Sequence, residues 1–202
     1  MKRGFDCSGA LLALLFLSPL LGGIGVALRL TAGPPVFFRQ QRPGLMGKPF
    51  TVLKFRTMND ECDERGALLD DKYRLTKLGR FLRVTSLDEL PQLINVVKGE
   101  MSLVGPRPLL MEYLSLYTPE QSRRHQVRPG ITGLAQVSGR QDLTFSKRFA
   151  MDSWYVDHLS FCLDMKVLFL TAARVITGLG VKSGQAVSEV DDLKFHEKIR
   201  SL

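Results

Sequence analysis

The stretch CSGALLALLFLSPLLGGIGVAL, residues 7–28, decides how the chain folds, because its 22 residues carry no charge. As an α-helix it would be about 33 Å long, which is enough to cross a hydrocarbon core of about 30 Å. Basic residues lie on both sides of it: Lys2 and Arg3 before it, and Arg29, Arg39, Arg42 and Lys48 after it. The sequence therefore predicts a membrane-inserted helix over residues 1–30 and a membrane-associated domain on the cytoplasmic side over residues 31–202.

Three topologies fit this stretch. In a cleaved signal peptide, Lys2 and Arg3 would form the basic region, but Asp6 follows them and no clear A-x-A cleavage site is present. A simple membrane-spanning helix fits the length. The third alternative is a re-entrant helix, which enters the membrane, breaks and returns to the same face.

Two features favour the re-entrant helix. Ser18-Pro19 lies in the middle of the stretch, where Pro19 lacks an amide donor and its ring clashes with the carbonyl of Leu15. The Ser18 hydroxyl can satisfy a backbone group that is freed at such a break. The basic flanks would also hold both ends of the helix on the cytoplasmic side. Neither feature excludes a kinked spanning helix.

The composition places the rest of the chain in one ordinary folded domain. Of the 202 residues, 45% are hydrophobic and 24% charged, which excludes wholesale disorder. The net charge of +8 suits an anionic partner, whether nucleic acid, an acidic membrane or a phosphorylated substrate. Cys7, Cys62 and Cys162 are widely spaced, and the chain has no CxxC pair. This argues against a disulfide framework and a structural zinc site, and favours a reducing, cytoplasm-facing location.

Beyond the hydrophobic stretch, the patterns predict a mixed α/β domain that is rich in helices. Residues 36–38 and 50–55 are predicted as two strands joined by a Gly/Pro turn at 42–48. Helices are predicted at 90–98, ending at Gly99, at 119–126 and at 145–158. The apolar segment 161–179 carries three charged residues, so it either packs in the core or lies as an amphipathic helix on the membrane surface.

The densest polar cluster is RFLRVTSLDELP, residues 80–91. One interpretation is structural, with Ser86 and Glu89 forming a capping box at a helix start. The other begins the helix nearer Asp88, which suits Pro91 better. The helix N-terminus and the nearby arginine would then hold Asp88 ionised, ready to act as a nucleophile or to bind magnesium.

Two further clusters combine arginine with proline or glycine. In Gly105-Pro106-Arg107-Pro108 the prolines restrict the backbone around an arginine, whose planar fork suits a phosphate. In Arg128-Pro129-Gly130-Ile131-Thr132-Gly133 the glycines would let backbone amides approach an anion, which Arg140 could neutralise. A rigid loop in the first case and a tight turn in the second explain the same residues.

Four strings occur in a fixed order along the chain and carry a resemblance to a known family. They are KFRTM (54–58), SLDELPQL (86–93), GPRP (105–108) and RPGITG (128–133). With Ser18-Pro19, this chain resembles the bacterial sugar transferases, the monotopic polyprenyl-phosphate phosphoglycosyl transferases. The resemblance covers nearly the whole chain and corresponds to the small catalytic form of the family.

The resemblance implies an activity and a location. The reaction would move a sugar-1-phosphate from a UDP-sugar to polyprenyl phosphate, such as undecaprenyl phosphate, and release UMP. The enzyme would lie on the cytoplasmic face of the bacterial inner membrane, in contact with its lipids, through a re-entrant helix broken at Ser18-Pro19. The short match at Gly184-Gln185-Ala186 is similar to enzymes that begin N-linked protein glycosylation with a bacillosamine-type sugar.

The resemblance also implies roles for single residues. Asp88 would be the nucleophile that forms a phosphosugar-aspartyl intermediate and would bind Mg²⁺. Glu89, the second catalytic residue, would orient the site or relay protons. The phosphate-binding residues would be Arg83, Arg107, Arg140 and Lys54. Asp152 and Asp164 match acidic positions of the family less closely.

A rival function from another class is a non-catalytic basic protein docked on anionic lipids. It would explain the charge and the hydrophobic helix, but not an acidic pair among arginines. Nucleic acid is not expected as a partner, because the basic residues lack regularly interleaved aromatic side chains. Dependence on the Asp88 carboxylate distinguishes catalysis from docking. The sugar, the polyprenol and the oligomeric state do not follow from the sequence.

Overall fold

The structure, a computed structural model, describes residues 2–139, 142–177 and 190–200. The helices are α1 (Lys2–Thr31), α2 (Asp71–Arg74), α3 (Lys77–Val84), α4 (Gln92–Lys98), α5 (Pro119–Ser122), α6 (Leu134–Ser138), α7 (Phe145–Asp157), α8 (Phe161–Thr177) and α9 (Phe195–Arg200). The strands are β1 (Phe37–Pro43), β2 (Pro49–Phe55), β3 (Ser102–Val104) and β4 (Gly130–Thr132). The fold is mixed and helix-rich, as the sequence predicts.

The hydrophobic stretch forms a helix, α1, that continues without interruption through Pro19. Pro19 provides no amide hydrogen for the carbonyl of Leu15, and the Ser18 hydroxyl donates to that oxygen instead, at 2.8 Å. The serine therefore satisfies the backbone group that the proline leaves free. A break with a return to the same membrane face stays a prediction.

One stripe of α1 packs against the rest of the protein along the length of the helix. In the first half, Ala10 is fully buried with Val96 of α4. In the second half, Ile24 and Leu28 pack with Leu82 of α3, together with a phenylalanine of β2. Partly buried residues continue the stripe between the two halves: Ala13, Leu14, Leu17 and Leu21. The helix thus lies along the domain instead of projecting away from it.

The opposite face of α1 is apolar and uncovered. Its exposed side chains include Leu11, Leu12, Leu15, Phe16, Leu20, Val26 and Leu30. Phe16 and Leu30 are 77% and 80% exposed. Within the described residues, α1 is the one helix long and apolar enough to cross a membrane.

The first turn of α1 carries charged residues, which bind the rest of the domain through hydrogen bonds and an ion pair. The Lys2 ammonium donates to the carbonyl of Val104 at 3.1 Å and pairs with the buried Asp164. Arg3 donates to two carbonyls in the last turn of α4, at 2.5 and 2.9 Å. Asp6 is buried and accepts a hydrogen bond from the Ser102 hydroxyl at 2.6 Å. Cleavage of a signal peptide would remove these buried partners, so the contacts disfavour that alternative.

Strands β1 and β2 form the predicted antiparallel hairpin, with Phe37 opposite Phe55 and Pro43 opposite Pro49. The strands are longer than the sequence predicts. Gly47 has a positive φ of 72°, and the amide of Gly44 closes the turn on the carbonyl of Lys48 at 2.8 Å. The Gly/Pro stretch is therefore a hairpin turn, as predicted.

Helices α7 and α8 lie close to their predicted positions. The prediction for α7, residues 145–158, is confirmed to within one residue. In α8, Asp164 and Val167 are buried in the core, whereas Phe161 and Phe169 are exposed. The core alternative is thus correct for one face of α8. Contact of its other face with a membrane surface stays a prediction.

Candidate active site

The acidic pair lies in a single 3₁₀ turn, Leu87–Glu89. The leucines that flank the pair anchor it on both sides. Leu87 packs with the residues that hold the second half of α1, and Leu90 packs with those that hold the first half. The pair of carboxylates is therefore positioned by α1 as well as by its own segment.

The helix that follows begins at Gln92, so the predicted start near Asp88 or at residue 90 is wrong. The predicted end is confirmed, because Gly99 has a φ of 89° at the C-cap. Ser86 adopts a left-handed conformation with a φ of 58°, and its side chain caps no helix amide. The chain makes its turn before the helix, and Pro91 occupies the N-cap position, where its missing amide costs nothing. The capping-box interpretation therefore fails.

Glu89 is bound by two cations. Its carboxylate accepts a hydrogen bond from Lys54 at 2.7 Å and two from the guanidinium of Arg107, at 2.7 and 3.3 Å. Burial raises the pKa of Glu89, but the charges and hydrogen bonds of Arg107 and Lys54 outweigh burial and hold the pKa below its usual range. Glu89 is therefore ionised and acts as the counter-ion of both cations.

Asp88 differs from its neighbour, because among the described residues no hydrogen bond or ion pair reaches its carboxylate. Its residue is 8% exposed. Burial and the adjacent charge of Glu89 raise the pKa of Asp88 to about 6, against the opposing influence of the nearby cations. At pH 7 this leaves about 90% of the carboxylate ionised. Asp88 is thus mostly ionised, as predicted, but the predicted helix N-terminus is not the cause, because α4 begins four residues later and burial has the largest influence on this pKa.

The predicted phosphate-binding residues have different surroundings. Burial lowers the pKa of Lys54, whereas Glu89 raises that of Arg107. Both side chains are engaged by Glu89, although 39% of the Arg107 side chain is exposed. Arg83 donates through Nε to the Thr57 hydroxyl at 2.9 Å. Within the part of the chain that the structure describes, its terminal nitrogens form no hydrogen bond. Of these three cations, Arg83 has the most donors available for a phosphate.

The glycine loops serve backbone packing. The amide of Gly105 donates to Thr132 at 2.9 Å, and the amide of Gly130 donates to the carbonyl of Pro106 at 3.0 Å. A Cβ atom on Gly130 would lie 2.1 Å from the nitrogen of Gly105, so the two loops touch through their main chains. These amides are already bonded, which supports the tight-turn interpretation over an anion-binding loop. Arg140 lies outside the described residues.

A buried ion pair contacts the main chain of Arg107. The spacing of its two residues in the sequence does not reveal it. Arg124 and Asp152 meet at 2.7 Å, and their side chains are 1% and 3% exposed. The same guanidinium donates to the carbonyl of Arg107 at 2.7 Å. The resemblance implies a role for Asp152, but only the tertiary structure joins it to Arg124. The other acidic match, Asp164, lies instead at the anchor of α1.

Arg42 is a second cation near Arg107 that the sequence did not single out. It is half-buried near the end of β1 and donates to Gln40 at 2.6 Å. Burial lowers the pKa of Arg42, and the charge of Arg107 lowers it further. In the described part of the chain, no carboxylate lies within ion-pair distance of Arg42. The sequence signal was weak, because Arg42 is one of several basic residues around a hairpin turn.

The donor set suits a magnesium ion that arrives with a phosphorylated substrate. Among the residues that the structure describes, no cluster of three or more His, Cys, Asp or Glu side chains could hold a metal alone. Asp88 nevertheless offers a carboxylate that no side chain or amide of residues 2–139, 142–177 or 190–200 binds. Mg²⁺ is commonly held by one or two carboxylates, with substrate phosphates and water completing its octahedron. The residues therefore fit a metal site that the substrate completes.

Comparison with known proteins adds independent information. A family described as bacterial sugar transferase matches residues 1–178. The chain is 54% identical to the uncharacterized sugar transferase EpsL of Bacillus subtilis, over 93% of each protein. It is 42% identical to the UDP-glucose:undecaprenyl-phosphate glucose-1-phosphate transferase of Caulobacter vibrioides, over 87% of this chain and 70% of that protein. It is 39% identical to the undecaprenyl-phosphate galactose phosphotransferase of Salmonella typhimurium, over 87% of this chain and 40% of that protein.

Proposed function

The chain belongs to the bacterial sugar transferase family, and from this premise we propose that it moves a sugar-1-phosphate from a UDP-sugar to undecaprenyl phosphate. This is the first membrane step of glycoconjugate synthesis. The observation that carries the proposal is the difference between the two carboxylates: among the described residues Asp88 has no hydrogen-bond or ion-pair partner, whereas Glu89 is bound by two cations. The names of the relatives from Caulobacter and Salmonella specify the same class of reaction on glucose and galactose donors.

In the proposed reaction, an oxygen of the Asp88 carboxylate attacks the phosphorus that bears the sugar. The bond from that phosphorus to the bridging oxygen breaks, and UMP leaves with the bond's electron pair. An oxygen of undecaprenyl phosphate then attacks the same phosphorus, which forms the diphosphate and frees the carboxylate. A pKa of about 6 suits this role, since the group is ionised at pH 7 yet more basic than an ordinary aspartate.

The surrounding charges would hold the phosphates for this attack. A bound Mg²⁺ at Asp88 would neutralise phosphate oxygens and lower the charge that the nucleophile meets. Arg83 is held by its hydrogen bond to Thr57, and its terminal nitrogens bind no group in the part of the chain that the structure describes. Lys54 and Arg107 are held in place by Glu89, so they are preorganised and lose little entropy when a phosphate arrives. Arg140 is proposed as a further phosphate ligand.

The packing of α1 supports a monotopic topology, in which both ends of the helix lie on the cytoplasmic side. Arg3 contacts α4 at one end of α1, and Leu28 packs with Leu82 at the other. A helix perpendicular to the membrane cannot hold both ends on one domain that stays on one side. The helix would therefore enter the cytoplasmic leaflet with its exposed face toward lipid. A turn back near Ser18-Pro19, where α1 is continuous in this structure, is proposed from the family resemblance and not from the packing. The exposed Phe169 side of α8 would lie on the same membrane surface.

Release of UMP from a panel of UDP-sugars tests the activity. The protein is incubated in nanodiscs with Mg²⁺ and undecaprenyl phosphate, beside an Asp88→Asn variant. We expect metal-dependent release from at least one donor and none from the variant. Binding of both proteins to anionic lipid without release from any donor would support the rival lipid-docking function and refute the transferase.

Labelling of engineered cysteines tests the topology. Gly4→Cys and Ala32→Cys are introduced singly after the native cysteines are replaced by serine. Gly4 has open space around it, so the new side chain fits. A membrane-impermeant maleimide should label both positions in inside-out vesicles and neither in intact spheroplasts. Labelling of one position from each side would instead establish a spanning helix.

A further inference from the structure

A large apolar groove lies between the second half of α1, the β1–β2 hairpin and the start of α4. Its volume is about 540 Å³. Gly22 and Gly25 line it on the α1 side, Val36 and Phe55 on the hairpin side, and Pro91 and Ile94 on the α4 side. Among the described residues that line it, Arg29 is the one charged side chain.

The glycines that line this groove are not required by close packing, because a larger side chain would fit at both positions. A Cβ atom on Gly22 would meet nothing within 4 Å, and one on Gly25 would meet only Val36, at 3.9 Å. Glycine within a helix costs about 1 kcal/mol relative to alanine. Within the part of the chain that the structure describes, no contact offsets this cost at Gly22. The open space at Gly22 and Gly25 leaves room in the groove for a ligand.

The position of the groove connects the membrane with the acidic pair. Its lining includes Val26 and Leu30, which belong to the uncovered apolar face of α1. It also includes Pro91, which follows Asp88 by three residues. A hydrophobic ligand could therefore enter from the lipid side and present its polar end toward the carboxylate.

We propose that this groove binds the first isoprene units of the polyprenyl phosphate acceptor, an inference that rests on the proposed function. The volume lies in the range of about 300–1,000 Å³ typical of pockets for small ligands, so it takes a few units and leaves the rest of the chain in the bilayer. Apart from Arg29 the lining of the groove is hydrophobic, which suits a prenyl chain. A UDP-sugar would leave its many polar groups unpaired there.

The two half-reactions depend on different sites, so the groove and the donor site can be tested separately. The donor phosphates would be held by the cations around Glu89, so the first half-reaction does not need the groove. The second half-reaction does, because the acceptor must be bound close to Asp88. Filling the groove should therefore affect the second half-reaction and spare the first.

Leucine substitutions at adjacent glycines of α1 provide the test, with Gly22→Leu filling the groove. Gly23→Leu is the matched control, because Gly23 also has no atom within 4 Å but does not line the groove. We expect Gly22→Leu to keep the stoichiometric burst of UMP without acceptor, while its KM for undecaprenyl phosphate rises about tenfold, equivalent to about 1.4 kcal/mol. Gly23→Leu should change neither quantity.

An unchanged acceptor KM in Gly22→Leu, or an equal rise in Gly23→Leu, would overturn the subsite. Absence of a UMP burst from the unsubstituted protein would instead refute the proposed function. If Gly22→Leu does not fold, photolabelling of the unsubstituted protein decides. A photoreactive prenyl phosphate should label residues 21–37, and undecaprenyl phosphate should compete. Equal competition by phosphatidylglycerol would assign the groove to bulk lipid and overturn the proposal.

Discussion

Replacement of Glu89 by glutamine should move the pH dependence of the first half-reaction to lower pH. Burial and the charge of Glu89 raise the pKa of Asp88 from 3.8 to about 6. The protonated carboxyl group is not a nucleophile, so the UMP burst rate of the unsubstituted protein should fall below about pH 6. Glu89→Gln removes one of the two causes, while Lys54 and Arg107 keep their charges. The pKa of Asp88 must therefore decrease.

The expected decrease in the pKa of Asp88 follows from the relative size of the two causes that raise it. Two neighbouring carboxylates interact by roughly 2 kcal/mol at an effective dielectric constant near 20. Burial is the larger cause and persists in the variant. We therefore expect the midpoint to move down by about one pH unit, or about 1.4 kcal/mol. At pH 5 the ionised fraction of Asp88 would increase from about one tenth to about one half.

The assay is the single-turnover burst of UMP between pH 4.5 and 8, with each protein normalised to its own plateau. Normalisation separates the titration from any loss of phosphate binding. Arg83→Gln is the opposite control, because Arg83 lowers the pKa of Asp88 and its removal should move the midpoint upward. An unmoved midpoint in Glu89→Gln, or an upward shift, would show that the electrostatic reasoning is wrong.

Three further predictions follow from packing and from the donor set. Asp152→Asn leaves the guanidinium of Arg124 buried without its counter-ion and should lower the free energy of unfolding by about 3 kcal/mol or more, measured by urea denaturation in detergent. The same change at Asp157, whose side chain is 44% exposed, should cost less than about 1 kcal/mol. Gly79→Ala would place a Cβ atom 1.9 Å from the carbonyl oxygen of Thr57, so Tm and turnover should both fall; retention of both would contradict the contact. Chelation of Mg²⁺ should abolish UMP release without changing Tm, and a large loss of Tm would indicate a resident structural metal.

Several features were predictable from local pattern. The apolar helix, the hairpin and α7 follow from hydrophobic periodicity and turn residues, which act over a few positions. The acidic pair was recognisable because Asp88 and Glu89 are adjacent in the chain and belong to a motif of the bacterial sugar transferases. The start of α4 was not predictable, because the left-handed conformation of Ser86 competes with a capping box that the same letters would allow.

The sequence by itself determined that this protein has a hydrophobic helix, a helix-rich α/β domain and two adjacent carboxylates in a motif of the family. It did so because helix length, hydropathy and motif spacing are properties of neighbouring residues. Only the tertiary structure decided that the two carboxylates differ. Lys54 and Arg107 reach Glu89 from positions 35 and 18 residues away, whereas burial isolates Asp88. Desolvation and charge pairing depend on which groups meet in space, so tertiary contacts decided which carboxylate is left free to react.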